Sequence, residues 1–431
     1  MTTKGMCQQT PPFYVKTVRC VDGERLPTLV NSSTGLPDFE ATLWVLTSLR
    51  SRNYASATIE QALRCIVVLY QVLQARQINL TTRLRAGCLL ELADIEAISL
   101  AAGQKTATYF DFLATENAHT RIVSRRKNLE SLRSTMNPIQ SKGRVLPATV
   151  ALRLGYIRDF LIWRVNRQIF RAAGVGQRNL LLLRDLVVEE LKNKIPESTG
   201  RATLGVRMGI DRESQGHLLQ TVNPKHPQNP WTGNFIRARN QLVIIIFLTL
   251  GIRRSELLGL RIADFNPRNQ EVLILRRPDD QNDPRLNEPN TKTRDRVLPI
   301  SADLYRLITD YLIFRHAIAK GSHDFLIVAN TGAPLSSSGI NRLFREFVHF
   351  SAFPALTPHI LRHTFCENLA EDLFKSGCCD SEMLRYLRQL GGWSDNSKTP
   401  LRYIKRFAQE RATAAGLALQ RSLLNIPFGQ P

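Results

Sequence analysis

Apolar residues recur at helical spacing over most of the chain between residues 38 and 195. In ATLWVLTSLRSRNYASATIEQALRCIVVLYQVLQ, which begins at Ala41, the recurrence of about 3.6 residues predicts two helices joined near Arg52 to Ser56. Residues 1–37 show little periodicity and contain Pro, Thr and short turns, which indicates an extended or small β-like arm. The pattern therefore predicts an N-terminal arm followed by a helical domain at 38–195.

A polar segment rich in turn residues interrupts this pattern at 196–234. It contains ESTGRA and NPKHPQNPWTG and is typical of a linker, although a short helix fits near 211–220. The next run, QLVIIIFLTL (241–250), is apolar on every side, which predicts a buried helix. A second domain is therefore expected at 235–410. After Tyr403, RFAQERATAAGLALQRSLLNI (406–426) predicts an amphipathic helix, and 411–431 is expected to form a C-terminal helix or tail.

Two strand-like runs interrupt the helical pattern of this second domain. EVLILRR (271–277) and RVLPI (296–300) have the β-branched composition of strands. The intervening PDDQNDPRLNEPN (278–290) is polar and Pro-rich, which predicts a long exposed hairpin loop. The fold class expected from the whole pattern is mainly α with a small antiparallel β-sheet.

Length and composition narrow the class of protein. A chain of 431 residues with 43% hydrophobic content is long enough for two or three domains with real cores. The longest apolar run, LVIIIFLTLGI from 242, has 11 residues, about half of what a bilayer span requires, and the N-terminus lacks an apolar signal core. The 7 cysteines show no metal-ligand spacing. We therefore expect no membrane partner, no metal site and a cytoplasmic location, associated with the nucleoid if the source is bacterial.

The charge balance favours a nucleic-acid partner. The chain has 58 Lys and Arg against 37 Asp and Glu, a formal charge of +21, and such a field attracts polyphosphate. Residues 101–180 contain 14 basic and 4 acidic side chains. Within them, one cluster and one row at helical spacing are candidate contacts to double-stranded DNA: Arg121, Arg125, Arg126 and Lys127, and then Arg164, Arg167 and Arg171. A merely solvated helix face explains the row equally well.

Five side chains in the second half have the chemistry of a phosphate site with a nucleophile. A guanidinium matches two phosphate oxygens at once and keeps its charge, so Arg253 and Arg362 suit a phosphodiester. His359 precedes Arg362 by one helical turn and therefore faces the same ligand. Lys292, ahead of a strand, suits a general acid. Tyr403 is a phenol whose basic neighbours should favour its ionised form.

These residues stand within motifs that together resemble the tyrosine recombinases, the phage integrase family. LGIRRSELLGLRIADF (250–265) resembles the first arginine box of the family, PHILRHTF (358–365) its HxxR box and LGGWSD (390–395) its His/Trp box. The resemblance covers roughly 235 to 410. It implies the catalytic set Arg253, Lys292, His359, Arg362, Trp393 and Tyr403, with Tyr403 as the nucleophile and Glu256 as a supporting acid.

Some neighbouring residues have competing interpretations. Glu256 in a first helical turn is explained equally well by the helix dipole, and Arg254 is expected at the surface. Arg294 competes with Lys292 for the role of acid, and His363 is expected to pack or to form a hydrogen bond rather than to act as a second catalyst.

The chain also departs from the family pattern at two points. Trp393 replaces the His of many members and leaves only a hydrogen-bond donor. The step of ten residues from Trp393 to Tyr403 is one longer than usual and contains Pro400, which indicates a small loop insertion before the tyrosine helix.

The resemblance implies a helical core-binding domain and a mixed α+β catalytic domain that form a C-shaped clamp on DNA. Members cut and rejoin DNA through a covalent 3′-phosphotyrosyl intermediate, without ATP or a metal ion, as homo-tetramers on specific recombination sites. The C-terminal segment would then dock on a neighbouring subunit or pack on its own domain, and accessory DNA-bending or directionality factors are expected partners.

Among the family's functions we favour the integrase of a mobile element, because the arm, Trp393 and the C-terminal extension depart from a compact chromosome-dimer resolvase. A type IB topoisomerase activity and a catalytically degenerate DNA-binding protein are the alternatives.

Overall fold

Two units, each with its own hydrophobic core, make up the chain. The computed structural model describes residues 12–105, 143–171, 175–197, 209–289, 294–350 and 356–424. The first unit is formed by residues 1–20 and 25–200, and the second by residues 21–24 and 201–431.

The first unit is a β-hairpin packed on helices. Its strands pair antiparallel, with Phe13 opposite Asn31 and Arg19 opposite Arg25. Its elements are β1 (Phe13–Arg19), β2 (Arg25–Asn31), α1 (Phe39–Trp44), α2 (Ser56–Ala75), α3 (Leu80–Arg85), α4 (Leu92–Ala102), α5 (Pro147–Ile169) and α6 (Val175–Asn193). A π-helical turn (Val45–Leu49) and a 3-10 turn (Arg50–Arg52) connect α1 to α2, close to the predicted junction.

The core of this unit follows from the helical recurrence seen in the sequence. Ile59, Leu63 and Ile66 recur every three or four residues along α2 and are fully buried. On α5, the Phe160 ring meets the Trp44 ring edge-on at 5.3 Å between centroids. The helices predicted between 38 and 195 are therefore present over the described residues.

The described part of the N-terminal arm has the small β-structure that the sequence indicated, and it packs on the helical unit. Leu29 and Val30 of β2 are buried in the core of the first unit, and the Ser56 hydroxyl at the start of α2 donates to the Arg25 carbonyl at 2.6 Å. From residue 12 onward the arm is thus a hairpin that belongs to the helical unit, because its apolar strand needs a surface on which to pack.

Two members of the predicted row, Arg164 and Arg167, do not form the DNA-facing stripe or the solvated face that their spacing suggested. Arg164 is 8% exposed and pairs with the Glu40 carboxylate of α1 at 2.5 Å, while Arg167 pairs with the other oxygen of the same carboxylate. The Arg164 side chain also donates to the Thr81 hydroxyl at 2.8 Å. A partly buried carboxylate requires a counter-charge, so these two arginines face the protein. Arg171 is exposed. Arg121, Arg125, Arg126 and Lys127 lie outside the described residues.

The second unit is mainly helical, with a three-stranded antiparallel sheet in the order β3-β4-β5. The sheet contains both strands expected from the sequence. The elements are α7 (Arg212–Thr221), α8 (Asn234–Leu250), α9 (Arg254–Gly259), β3 (Phe265–Asn266), β4 (Glu271–Ile274), β5 (Arg296–Pro299), α10 (Ala302–Ala319), α11 (Ser337–Phe350), α12 (Pro358–Lys375), α13 (Asp380–Gly391) and α14 (Leu401–Leu424). A 3-10 turn (Ile262–Asp264) precedes β3.

The predicted linker and the predicted hairpin loop are both anchored on the second unit. Within 278–289 all residues except Asp283 are exposed or half-buried, as expected of an exposed loop. Leu218 of α7 and Trp231 are buried in the core of the second unit, so the described part of the predicted linker packs on this unit. In the predicted hairpin loop, Asp283 is 2% exposed and pairs with Arg285 at 2.8 Å. Arg285 also donates to the Leu335 carbonyl at 2.8 Å, which holds the polar loop against the unit.

None of the helices in the described ranges has the length and apolar character needed to cross a membrane.

Candidate active site

The start of α12 positions two of the candidate residues. The Thr357 side chain caps the helix by accepting from the Ile360 N–H at 3.2 Å, and Pro358 occupies the first helical position. His359 therefore lies in the first turn, and Arg362 lies one turn further on the same face.

Arg362 and Arg253 converge on one backbone oxygen. Arg362 donates to the Gly251 carbonyl at 2.5 Å and to the Gly391 carbonyl at 2.6 Å, and Arg253 donates to the Gly391 carbonyl at 3.3 Å. The Trp393 ring lies beside both, with its centroid 4.4 Å from Cζ of Arg362 and 5.7 Å from Cζ of Arg253. Burial, and then Arg253, lowers the pKa of Arg362 to about 10, so its guanidinium is charged at neutral pH.

Two glycines permit this close packing. Gly251 ends α8 with φ 57°, and a Cβ there would lie 2.0 Å from an atom of the Phe365 ring. A Cβ on Gly391, at the end of α13, would lie 2.0 Å from an atom of the Trp393 ring. The carbonyls that hold the two arginines are therefore fixed by positions where any larger residue collides with an aromatic ring.

Glu256 and Arg296 form a buried ion pair next to Arg253. Arg296 donates to both Glu256 carboxylate oxygens, at 3.0 and 2.9 Å, and also to the Leu390 carbonyl at 3.0 Å. The Arg253 backbone N–H donates to Glu256 at 2.8 Å. Glu256 thus fixes both the backbone at Arg253 and the end of α13 through Arg296. A favourable interaction with the helix dipole does not require a first-turn glutamate to be buried or to pair with Arg296, so the dipole alone does not account for Glu256.

Arg296 is not among the site residues predicted from the sequence, although the sequence pattern of its strand indicates a buried position. Side chains alternate between the two faces of a strand, so Arg296 lies on the same face as Leu298 and Ile300, which are buried. A charged residue in register with buried apolar residues requires a buried partner.

Tyr403 lies in the first turn of α14 with its hydroxyl enclosed. It is 3% exposed, its oxygen is 2.7 Å from Nδ1 of His363, and it also contacts the Cys366 thiol. Burial raises the pKa of Tyr403, and this effect outweighs the lowering by the nearby Arg402 and Arg362. The expectation that the basic neighbours favour the ionised phenol is therefore wrong for this structure.

A pocket of about 700 Å³ opens beside the arginines. His359 lines it, and burial followed by the neighbouring Arg362, Arg402 and Arg253 lowers the pKa of His359 below its usual value. The lining combines basic, polar and apolar residues, and it comprises Arg253, Arg254, Ser255, Asn341, Phe344, Arg345, Val348, Leu356, Thr357, Pro358, His359 and Arg362.

Lys292, the expected general acid, lies outside the described residues. Its competitor Arg294 is described, and it pairs with Asp395 at 2.9 Å in a solvent-exposed contact. Arg254 is exposed, as expected, and donates to Asn341 at 2.8 Å.

The structure thus gathers five of the six candidate catalytic residues into one region of the second unit. Arg253, Arg362 and His359 share a pocket, the Trp393 ring covers both guanidiniums, and the Trp393 and Tyr403 ring centroids are 6.1 Å apart. Two fixed cations beside an open pocket suit a phosphodiester, and the adjacent phenol suits nucleophilic attack on it.

Comparison with known proteins agrees with this chemistry. Residues 218–410 match the Phage integrase family. The chain is 27% identical over 167 residues to tyrosine recombinase XerC of Listeria innocua serovar 6a, covering 38% of this chain and 48% of that protein. It is 28% identical over 139 residues to transposase A from transposon Tn554 of Staphylococcus aureus, covering 31% and 37% of the two chains. The chain therefore spans about half, or less, of the length of these two relatives.

Among solved structures, the chain is similar to the Tn1549 transposon integrase in complex with transposon right end DNA, with 18% identity and a TM-score of 0.38. The aligned region covers 71% of this chain and 98% of that one. The family match at residues 218–410 includes every candidate catalytic residue and the whole pocket. Over residues 218–410, slightly less than half of its length, the chain is therefore similar to the phage integrase family, the tyrosine recombinases.

Proposed function

We propose that this protein is a site-specific DNA recombinase that cuts and rejoins DNA through a covalent 3′-phosphotyrosyl intermediate at Tyr403. The observation that supports it best is the convergence of the Arg253 and Arg362 guanidiniums on the Gly391 carbonyl, beside a pocket and near a buried phenol.

The two guanidiniums bind the scissile phosphate and stabilise the charge that grows on its oxygens during attack. Because both are already held by backbone carbonyls, little reorganisation accompanies the reaction, and such preorganised donors each contribute about 3 kcal/mol to the rate in comparable sites. His359 assists by hydrogen bonding from the pocket wall. Lys292 protonates the departing 5′ oxygen. Trp393 packs on the arginines and keeps them in place.

Double-stranded DNA is the proposed partner, bound at specific recombination sites. Arg254 and Arg345 add two further cations to the lining of the pocket, which suits further phosphates of the same strand. Arg171 and the cluster at 121–127 are the proposed contacts of the first unit. The positive balance of the whole chain supports the same partner.

Integration of a mobile element is the proposed role, supported by the similarity to a transposon transposase. The similarity to XerC keeps chromosome-dimer resolution as the competing role. Exchange between two separate duplexes that carry the element's ends, compared with exchange at a chromosomal site, separates these roles. Relaxation of one supercoiled duplex without exchange would indicate topoisomerase activity instead.

Assembly as a homo-tetramer on DNA is part of the proposal. In the second half of α14, Leu417, Leu419 and Leu423 are 48%, 60% and 53% exposed, which is costly for a helix in water. A second copy of the chain is the proposed occupant of these exposed leucines. Sedimentation with and without DNA tests the stoichiometry, and replacing the three leucines by lysine should leave a monomer on each site.

A nicked substrate tests the chemistry directly. In nicked duplex DNA carrying the ends of the element, loss of the short strand after cleavage traps the protein on the 3′ phosphate. The wild type should form a covalent adduct that Tyr403→Phe does not form. Tyr386→Phe is the matched control, because Tyr386 precedes the Trp box and should leave the adduct unchanged. An adduct with Tyr403→Phe would place the nucleophile elsewhere, and DNA binding without any adduct would favour a degenerate DNA-binding protein.

A further inference from the structure

His363 holds the hydroxyl of the proposed nucleophile. Its Nδ1 atom is 2.7 Å from the Tyr403 oxygen, and the two side chains are 7% and 3% exposed. His363 is the fourth residue after His359 on α12, and the two imidazoles meet edge to face at 4.2 Å between centroids. The histidine that lines the phosphate pocket and the histidine that reaches the phenol are thus different residues.

The surroundings of His363 keep its ring neutral. Burial, then His359, Arg402 and Arg362, lowers the pKa of His363 to about 4. A neutral imidazole has one ring nitrogen that accepts a hydrogen bond. Burial also keeps the thiol of Cys366, the other group at the phenol, protonated, because it raises the pKa of that thiol to about 11. Among these contacts, His363 is the group suited to accept a proton from Tyr403 at neutral pH.

This inference rests on the proposed function. We propose that His363 is a catalytic residue that accepts the phenolic proton of Tyr403 at Nδ1 as the phenol attacks the scissile phosphate. The Tyr403 oxygen forms a bond to phosphorus, the bond from phosphorus to the 5′ oxygen breaks, and the leaving oxygen takes a proton from Lys292. In the rejoining step the 5′ hydroxyl attacks phosphorus, its proton returns to Lys292, and the imidazolium returns its proton to the departing Tyr403 oxygen.

Substrate binding makes this transfer easier. The positive groups around His363 are His359, when protonated, and Arg362 on its own helix, and Arg402 on α14. A phosphodiester bound by Arg253 and Arg362 adds a negative charge to this region and opposes their effect. His363 then becomes more basic only when DNA is in place, which restricts activation of the nucleophile to the complex.

The test compares His363→Asn with the wild type on the nicked substrate. Asparagine keeps a polar group where Nδ1 lies, but it cannot take up a proton at neutral pH. The single-turnover rate of adduct formation should fall by about 10²–10⁴-fold, the usual contribution of a general base. DNA affinity should not change. His316→Asn, at an exposed position on α10, is the matched control and should react like the wild type.

A second set of measurements distinguishes a role of His363 in proton transfer from a role in positioning Tyr403. Fluorinated tyrosine at position 403 has a more acidic phenol and needs less help from a base, so it should restore most of the rate lost in His363→Asn. A substrate with sulfur at the 5′ leaving position, which needs no acid, should rescue Lys292→Ala and leave His363→Asn slow. A purely structural role for His363 would give the same rate deficit with either tyrosine.

Each outcome has one meaning. Wild-type rates in His363→Asn, or a deficit that the fluorinated tyrosine does not reduce, would overturn the proposal. If the variant does not fold, as judged by its melting temperature, nitrogen-15 NMR of the wild type decides: an Nδ1 of His363 that carries the proton at neutral pH overturns the proposal, and an unprotonated Nδ1 supports it. Absence of an adduct in the wild type itself would instead reject the proposed function, and the role of His363 with it.

Discussion

Replacing Arg296 by methionine should strongly destabilise the second unit, because it leaves the Glu256 carboxylate buried without its main counter-charge. The Glu256 side chain is 0% exposed and that of Arg296 is 7% exposed. After the substitution, the Arg253 N–H at 2.8 Å and its guanidinium at 3.4 Å remain as partners. Removing one member of a buried pair costs about 3–5 kcal/mol. For a unit of this size, that loss lowers the melting temperature by about 6–20 °C.

Scanning calorimetry of the full chain is the assay, with Arg294→Met as the matched control. Arg294 pairs with Asp395 in a contact whose side chains are 66% and 82% exposed. Exposed pairs contribute about 0–1 kcal/mol, so this control should shift melting by less than about 4 °C. The double substitution Glu256→Met with Arg296→Met should regain part of the lost stability, since it removes the buried carboxylate together with its main counter-charge. Recovery is incomplete because the Arg253 N–H and guanidinium lose Glu256 as a partner. Equal shifts for Arg296→Met and Arg294→Met would refute the reasoning.

Three further predictions concern other parts of the molecule. The pKa of His363 is about 4 in the folded state, below its ordinary 6.5, so the unfolded state binds more protons between these two pH values. The free energy of unfolding should therefore fall by at most about 1.4 kcal/mol per pH unit on acidification from pH 6.5 to pH 4. The same measurement on His363→Asn should show a smaller slope. Gly391→Ala should displace the Trp393 ring, lower the free energy of unfolding by about 1–3 kcal/mol and slow adduct formation; a normal rate would contradict the fixed-carbonyl geometry. Arg164→Ala should lower the free energy of unfolding of the first unit by about 3 kcal/mol, measured in urea. Arg171→Ala should change stability by less than about 0.5 kcal/mol and reduce the salt dependence of DNA binding by about one in slope. The reverse ranking would contradict a buried, paired Arg164 and an exposed Arg171.

Local patterns in the sequence were sufficient to predict the helices and the small sheet and to recognise the order of the motifs. Apolar recurrence along α2 and α8 and alternation in β5 are properties of neighbouring residues, and the structure has these elements where they were expected. The same holds for the short helix α7. The added residues before Tyr403 form a turn, in which the Ser397 N–H donates to the Ser394 carbonyl at 2.9 Å, and α14 begins after it.

The partners of charged side chains could not be predicted in the same way. Arg296 meets a carboxylate 40 positions earlier, and His363 meets a phenol 40 positions later. The helical spacing of Arg164 places it next to the apolar residues of its own helix and so predicts a surface position. In the structure it instead pairs with Glu40, which is far away in the sequence. The pKa of Tyr403 is also set mainly by burial, which the flanking basic residues do not reveal.

A count of basic residues is a poor measure of the potential that a polyanion meets. Arg164 and Arg167 both contribute to the formal charge of +21, but the carboxylate of Glu40 offsets part of their field at close range. Arg362 is held by two uncharged carbonyls, so its anchors fix its position without cancelling its charge. A polyanionic ligand should therefore meet a more positive potential at the pocket than the arginine content of the second unit alone would suggest.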